Sequence, residues 1–166
     1  LKNSAPINLT KGKVSRAEDP KFSFDNNSLV FKCDWTLCLY HIKSGDIQKI
    51  LDSPDEASMP YWHPNEKKIL FSAKAKEHAD IYSLNLETGI TKKIHSERNL
   101  QEYYPVAVNK RKYYYVRWKS SHQETDQIYL GFFGKNKSIP LALNSSQDSS
   151  DPCPVGRNHL FFSSLS

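Results

Sequence analysis

One short pattern returns four times along the chain, and nothing else in the sequence restricts the fold as much. "DPKFSFDNNSLVF" (residues 19–31), "MPYWHPNEKKILF" (59–71), "YPVAVNKRKYYYV" (104–116) and "DPCPVGRNHLFF" (151–162) share one plan. A proline opens a short strand, a polar turn follows, and a β-branched or aromatic strand comes next. The marker prolines are Pro20, Pro60, Pro105 and Pro152, at spacings of 40, 45 and 47 residues. Each complete copy then carries a second marker: "LCLYHIKSG" (37–45), "DIYSLNLETG" (80–89) and "QIYLGFFGK" (127–135). These alternate apolar and polar residues up to a turn glycine and lead into a last short strand near "QKIL", "KKIH" or "IPLAL".

Four short strands in a period of about 40 to 50 residues match one blade of a β-propeller. The apolar spacing is two throughout, and no segment of ten or more residues keeps the helical period, so a helical reading fails. A single twisted four-stranded sheet cannot bury both of its faces. Blades therefore stack face to face around an axis, with alternate aromatic and branched side chains filling the gaps. On this reading Trp62 with Phe71, and Tyr82 with Leu84, pack between blades rather than take part in catalysis. The sequence thus predicts an all-β propeller of four-stranded antiparallel blades. The blades fall at about 19–52, 58–96 and 103–143, with strands of partial blades at 5–10 and 151–163.

The second copy resembles the repeat of TolB-type β-propellers, in which Pro-x-Trp-Ser-Pro-Asp-Gly opens the first hairpin and Asp-Ile-Tyr begins the third strand. Pro60, Trp62, Pro64, Asp80, Ile81, Tyr82 and Gly89 stand at matching positions, while His63 replaces the Ser and Asn65-Glu66 replaces Asp-Gly. The first copy keeps Asp19-Pro20, Phe22-Ser23 and Asp25; the third keeps Pro105 and Ile128-Tyr129. The resemblance covers nearly the whole chain. It speaks to fold more than to function, because such repeats serve unrelated roles.

After Asp151 only two strands fit, and the chain stops where a third strand would begin. A four-bladed ring of this kind would leave exposed strand edges, which sheets avoid. The reading is therefore a fragment of a ring of about six to eight blades. The start at Leu1, with no initiating Met and no signal-peptide pattern, fits a mature or excised piece.

The net charge of +5 is spread along the chain, and its densest run is Lys110-Arg111-Lys112. Such an excess could favour anionic partners, but solvated strand ends and loops account for it better. No aromatic RNA-binding signature, zinc knuckle or helix-turn-helix pattern points to nucleic acid. No apolar run reaches the roughly 18 residues of a membrane-spanning helix. Cys33 and Cys38 flank the break in "CDWTLC", leaving either a cross-strand disulfide or two reduced, partly buried thiols; Cys153 is left over. No pair of Cys-x-x-Cys units calls for zinc.

Motifs for a nucleophilic Ser, a zinc protease, a phosphate-binding loop or a calcium loop are missing from the sequence. The 6 histidines fall at unrelated blade positions and read as turn or surface residues. No catalytic residue, metal ligand or cofactor is assigned. Propellers usually bind at the channel mouth, which is lined by the loops entering each first strand and those between the second and third strands. The entering loops offer Arg16, Glu18, Asp19, Glu102, Tyr103, Tyr104 and Asp151. The second set offers Trp35, Lys76, Glu77, His78, Trp118, His122 and Glu124. Stacking aromatics beside orienting charges make a rim suited to sugar or peptide, whereas Asp19 and Asp151 could equally cap turns. Four glycosylation sequons, at Asn8, Asn26, Asn136 and Asn144, would matter only in a eukaryotic secretory protein.

The function expected first is a non-catalytic propeller, periplasmic or secreted, that binds a protein or glycan at one face. TolB-like propellers are periplasmic and bind partner proteins in this way. The alternatives are a propeller-fold lyase or hydrolase acting on acidic glycans, and the gating propeller of a prolyl oligopeptidase-like or tricorn-like peptidase.

Overall fold

The computed structural model describes residues 5–52, 56–65, 67–75, 77–119, 123–141, 147–156 and 159–164. Fourteen strands and no helix lie among them. The first sheet holds β1 (Ala17–Phe22), β2 (Ser28–Cys33), β3 (Thr36–His41) and β4 (Ile47–Lys49). The second holds β5 (Glu56–Trp62), β6 (Lys68–Ala75), β7 (His78–Asn85) and β8 (Thr91–His95). The third holds β9 (Leu100–Asn109), β10 (Lys112–Lys119), β11 (Gln123–Phe132) and β12 (Lys135–Pro140). A fourth sheet consists of β13 (Ser149–Val155) and β14 (His159–Ser164).

Within each sheet, strands consecutive in the chain are neighbours and pair antiparallel. The first strands β1, β5, β9 and β13 meet one another in series, which sets them innermost around an axis. This is the β-propeller arrangement that the period-two pattern predicts. The turns that close the first hairpins share a local device. Asp25, Asn65 and Asn109 each accept the backbone N–H two residues on, at 2.9, 3.3 and 2.8 Å. An Asx turn of this kind reverses the chain without glycine, so Asn65 can stand where the repeat elsewhere has Asp-Gly.

Packing between the first two blades is apolar. Val30, Leu37, Ala57, Trp62, Phe71 and Leu84 belong to one buried cluster, and Tyr82 packs against it. The Trp62 indole N–H also donates to the Lys21 carbonyl at 3.0 Å, tying the second blade to the innermost strand of the first. Between the second and third blades Leu70, Ile81, Ala107, Tyr113 and Tyr115 are buried together. Gly131 is needed here: a Cβ would lie 2.4 Å from Cζ of the fully buried Tyr113.

On the other face of the first blade, Leu29, Phe31, Cys33, Cys38 and Tyr40 form a third cluster with Val14. Cys33 and Cys38 are joined in a disulfide across the β2–β3 turn, with Cα atoms 5.8 Å apart, and Cys153 is free and exposed. One expectation is corrected. Residues 5–10 do not form a strand: 5–8 are irregular and 9–13 make a turn. Asn8 Oδ1 accepts the Thr10 N–H at 3.1 Å and Gly12 adopts φ 71°, so the chain curls where a strand would have to run straight. Ile7 and Leu9 instead share an apolar cleft with Phe22 and Leu29 of the first blade.

Candidate functional site

The innermost strands are each broken at the same place. The register of pairing slips between Glu18 and Lys21, between Ser58 and Tyr61, and between Ser150 and Cys153. In the third blade it slips where Val106 and Tyr103 face Tyr114 and Val116. The skipped residues are Asp19-Pro20, Met59-Pro60, Tyr104-Pro105 and Asp151-Pro152. Each residue before the proline is left-handed, with φ of 52, 53, 49 and 50° for Asp19, Met59, Tyr104 and Asp151. A non-glycine residue in that region is uncommon and strained, and a bulge re-aims its side chain. Repeated in register, the device brings Asp19, Met59, Tyr104 and Asp151 to one place.

The result is a small cavity of about 110 Å³ lined by Asp19, Lys21, Tyr61, Tyr104, Asp151 and Cys153, among others. That volume suits waters or a small ion rather than an organic ligand. Asp19 Oδ2 accepts the Met59 backbone N–H at 3.2 Å, linking two blades rather than capping its own turn. Asp151 Oδ2 accepts the hydroxyls of Ser150 at 3.2 Å and Ser163 at 2.7 Å.

Beside the cavity the Tyr103 hydroxyl donates to Asp126, whose own backbone N–H donates to Asp148 Oδ1 at 2.7 Å. Burial, followed by the charges of Asp148 and Asp151, pushes the Asp126 carboxyl above its usual range against the pull of the Tyr103 bond. Burial and then Asp126 raise the Tyr103 phenol far above its ordinary value; burial and then Asp151 and Asp19 raise Tyr104. Both phenols stay neutral donors. Asp126 and Asp148 were not among the candidates read from the sequence. The one local signal is that Asp126 immediately precedes "QIY", the third-strand marker.

The rim lies outside this cavity. Trp35 sits on the two-residue β2–β3 turn and is 69% exposed. Lys32 Nζ stands 5.9 Å from its ring, 2.5 Å from Glu56 Oε1 and 3.5 Å from Glu18 Oε2. Arg16 completes the chain of charge at 2.6 Å from Glu18, and its backbone N–H donates to Asp34 Oδ1 at 2.9 Å. The Arg16 hydrogen bond holds the Glu18 carboxyl below its usual range. Arg16 and Trp35 are thus brought together, as are Asp19, Tyr104 and Asp151 with Tyr103. His78 stands apart from both groups, half-buried, 3.5 Å from the Gln101 amide, and Trp118 faces Gln101 across β9 and β10. Lys76 and His122 lie outside the described residues, as do the Glu124 side chain and Asn144; Asn8, Asn26 and Asn136 are exposed.

Two further expectations are corrected. Glu102 is not on the rim but fully buried, and His95 and His63 are buried rather than at the surface. His95, Glu97 and Glu102 are close enough to share an ion. However, Arg117 Nη2 lies 3.1 Å from His95 Nε2, 2.6 Å from Glu97 Oε1 and 3.1 Å from Glu102 Oε1, and reaches the Tyr115 hydroxyl at 2.5 Å. The guanidinium fills the space a cation would need, so the set does not fit a metal. Burial alone would lower the Arg117 pKa; Tyr115, Glu102 and Glu97 outweigh it and hold the value above its usual range.

No protein-family model matches the sequence, and no curated protein matches it either. Solved structures do. A putative TolB from Agrobacterium tumefaciens superposes with TM-score 0.76 at 17% identity, over 93% of this chain and 56% of the other. TolB from Acinetobacter baumannii gives 0.66 at 17% identity, over 82% of this chain and 34% of that one. An oligogalacturonate lyase in complex with manganese gives 0.68 at 12% identity, over 90% and 46%. At these identities the likeness is one of fold, and this chain spans a third to a little over half of these three structures.

Proposed function

We propose that the chain is part of a non-catalytic, TolB-like β-propeller that takes a protein or glycan partner at the channel mouth, in the cell envelope or outside the cell. The observation that carries this reading is Trp35, which stands exposed on the β2–β3 turn with Lys32, Arg16, Glu18 and Glu56 around it. A rigid exposed indole offers a stacking surface, and the adjoining charges orient what stacks on it. The Cys33–Cys38 disulfide suits an oxidising compartment. A lyase would need a base and a cation at one point, and the buried trio that comes nearest to this is closed by Arg117.

Tryptophan emission, followed during titration with neutral and uronate oligosaccharides and with extended peptides, tests the reading. The expected result is a saturable change with one of these classes, lost in Trp35→Ala, with the ligand recovered intact. Formation of an unsaturated uronate product, or no response to any member of the panel, would overturn it.

A further inference from the structure

The face opposite the mouth carries a cleft of about 740 Å³ between the second and third blades. Its position follows from the topology. Asn65 and Lys110 belong to the first-hairpin turns of the two blades, Lys68 opens β6, Lys92 and Lys93 lie in β8, and Lys135 opens β12. Five lysines from one turn and three strands therefore line one concavity, and no Asp or Glu lines it among the described residues. Lys93 is held by Asp80 at 2.5 Å; the other four make no ion pair among the described residues. The floor is apolar: Leu70 is fully buried, Ile94 lies beside it, and Phe133 stands at 69° to the buried His63, with ring centroids 4.9 Å apart.

We infer that this cleft binds a small organic polyanion, a carbon frame bearing two or more phosphate or sulfate groups. Lysine ammoniums act as mobile point charges, and a phosphate or sulfate group offers them three acceptor oxygens where a carboxylate offers two. Several of them around one concavity attract a ligand with several charges more than one with a single charge. The apolar floor and Phe133 receive the carbon frame, and the volume lies within the range of small-molecule sites, roughly 300 to 1,000 Å³. His63 reports the field at the floor: burial, then Lys68 and Lys110, hold its pKa below the ordinary value. This site is separate from the mouth and does not depend on the reading given for it.

Calorimetric titration with fructose 1,6-bisphosphate tests the inference, with inorganic phosphate and phosphatidylglycerol vesicles as comparison arms. The bisphosphate should bind saturably, more weakly as salt rises, and in Lys110→Gln/Lys135→Gln its affinity should fall roughly tenfold. Both side chains are exposed, so the variant should fold. Lys43→Gln, on the exposed surface of the first blade, should leave affinity unchanged, and bound ligand should raise the pH at which the His63 NMR signal titrates. Equal losses from the cleft and Lys43 variants would overturn the site. So would inorganic phosphate binding as tightly as the bisphosphate, or vesicle binding that the bisphosphate does not compete.

Discussion

The first and second blades meet across an apolar seam of aliphatic and aromatic side chains, whereas the second and third meet across tyrosines and a buried charge cluster. The two seams use the same backbone positions. Two residues before each left-handed position of the inner strands a residue faces a partner on the second strand: Ala57 faces Ala73 in the second blade, and Glu102 faces Arg117 in the third. The first blade puts Ala17 against Cys33 there, and the fourth puts Ser149 against Ser164. The repeat therefore fixes a cross-strand slot and leaves its chemistry open. Alanines let the apolar seam close, while Glu102 and Arg117 bring a charge pair inside that His95, Glu97 and Tyr115 must then surround.

Breaking the charged slot should produce the largest effect. Arg117→Ala leaves Glu102 buried without its cation, and removing one partner of a buried pair costs about 3–5 kcal/mol. Urea unfolding measures the loss. The double variant Glu102→Ala/Arg117→Ala recreates the slot of the second blade. It should recover part of that loss, because the uncompensated charge is gone even though a cavity remains. A double variant no more stable than the single one would mean that the network, rather than the isolated charge, sets the cost.

The apolar seam should respond in small steps. Ile69 is fully buried in it, and Ile69→Val removes one methylene at a cost of about 0.5–1.5 kcal/mol. Unfolding midpoints should shift without a change in denaturant dependence, since no charge is exposed or stranded. A loss as large as that of Arg117→Ala would erase the distinction between the two seams.

The sequence shows the slots but not their contents. Pro20, Pro60, Pro105 and Pro152 mark the innermost strands because proline spacing and period two are local properties of the chain. The left-handed residues before those prolines are not legible, because their strain is sustained by neighbouring blades. Arg117 lies in the run "KYYYVRWK", where the arginine reads as a solvent-facing break in an aromatic strand. Only its pairing with Glu102, and the approach of His95 from the preceding blade, make it internal. The same holds for the cleft, whose lysines at 68, 92, 110 and 135 are scattered over most of two blades. The exposure of Trp35 is more legible, since a two-residue turn holds its side chain outside any core.

The smallest effect concerns His63, where the second seam reaches the cleft. Its Nδ1 lies 2.8 Å from Asn65 Oδ1, and that hydrogen bond favours protonation; burial and the charges of Lys68 and Lys110 oppose it more strongly, so the pKa is depressed from 6.5. A histidine that resists protonation when folded binds fewer protons than it does in the unfolded chain. Its contribution is therefore intact above about pH 6.5 and declines as the pH falls through that value towards the lower folded pKa. Melting curves of the wild type and His63→Asn, taken from about pH 7.5 down to about pH 5.5, isolate this proton. The wild type should lose more than the variant on acidification, by roughly a few degrees. Ile69→Val, in a cluster that contains no histidine among the described residues, should keep the wild-type slope. A polyanion in the cleft would offset the lysine charges and flatten the wild-type profile towards that of His63→Asn. Parallel profiles with and without His63 would instead mean that the second seam is as indifferent to pH as the first.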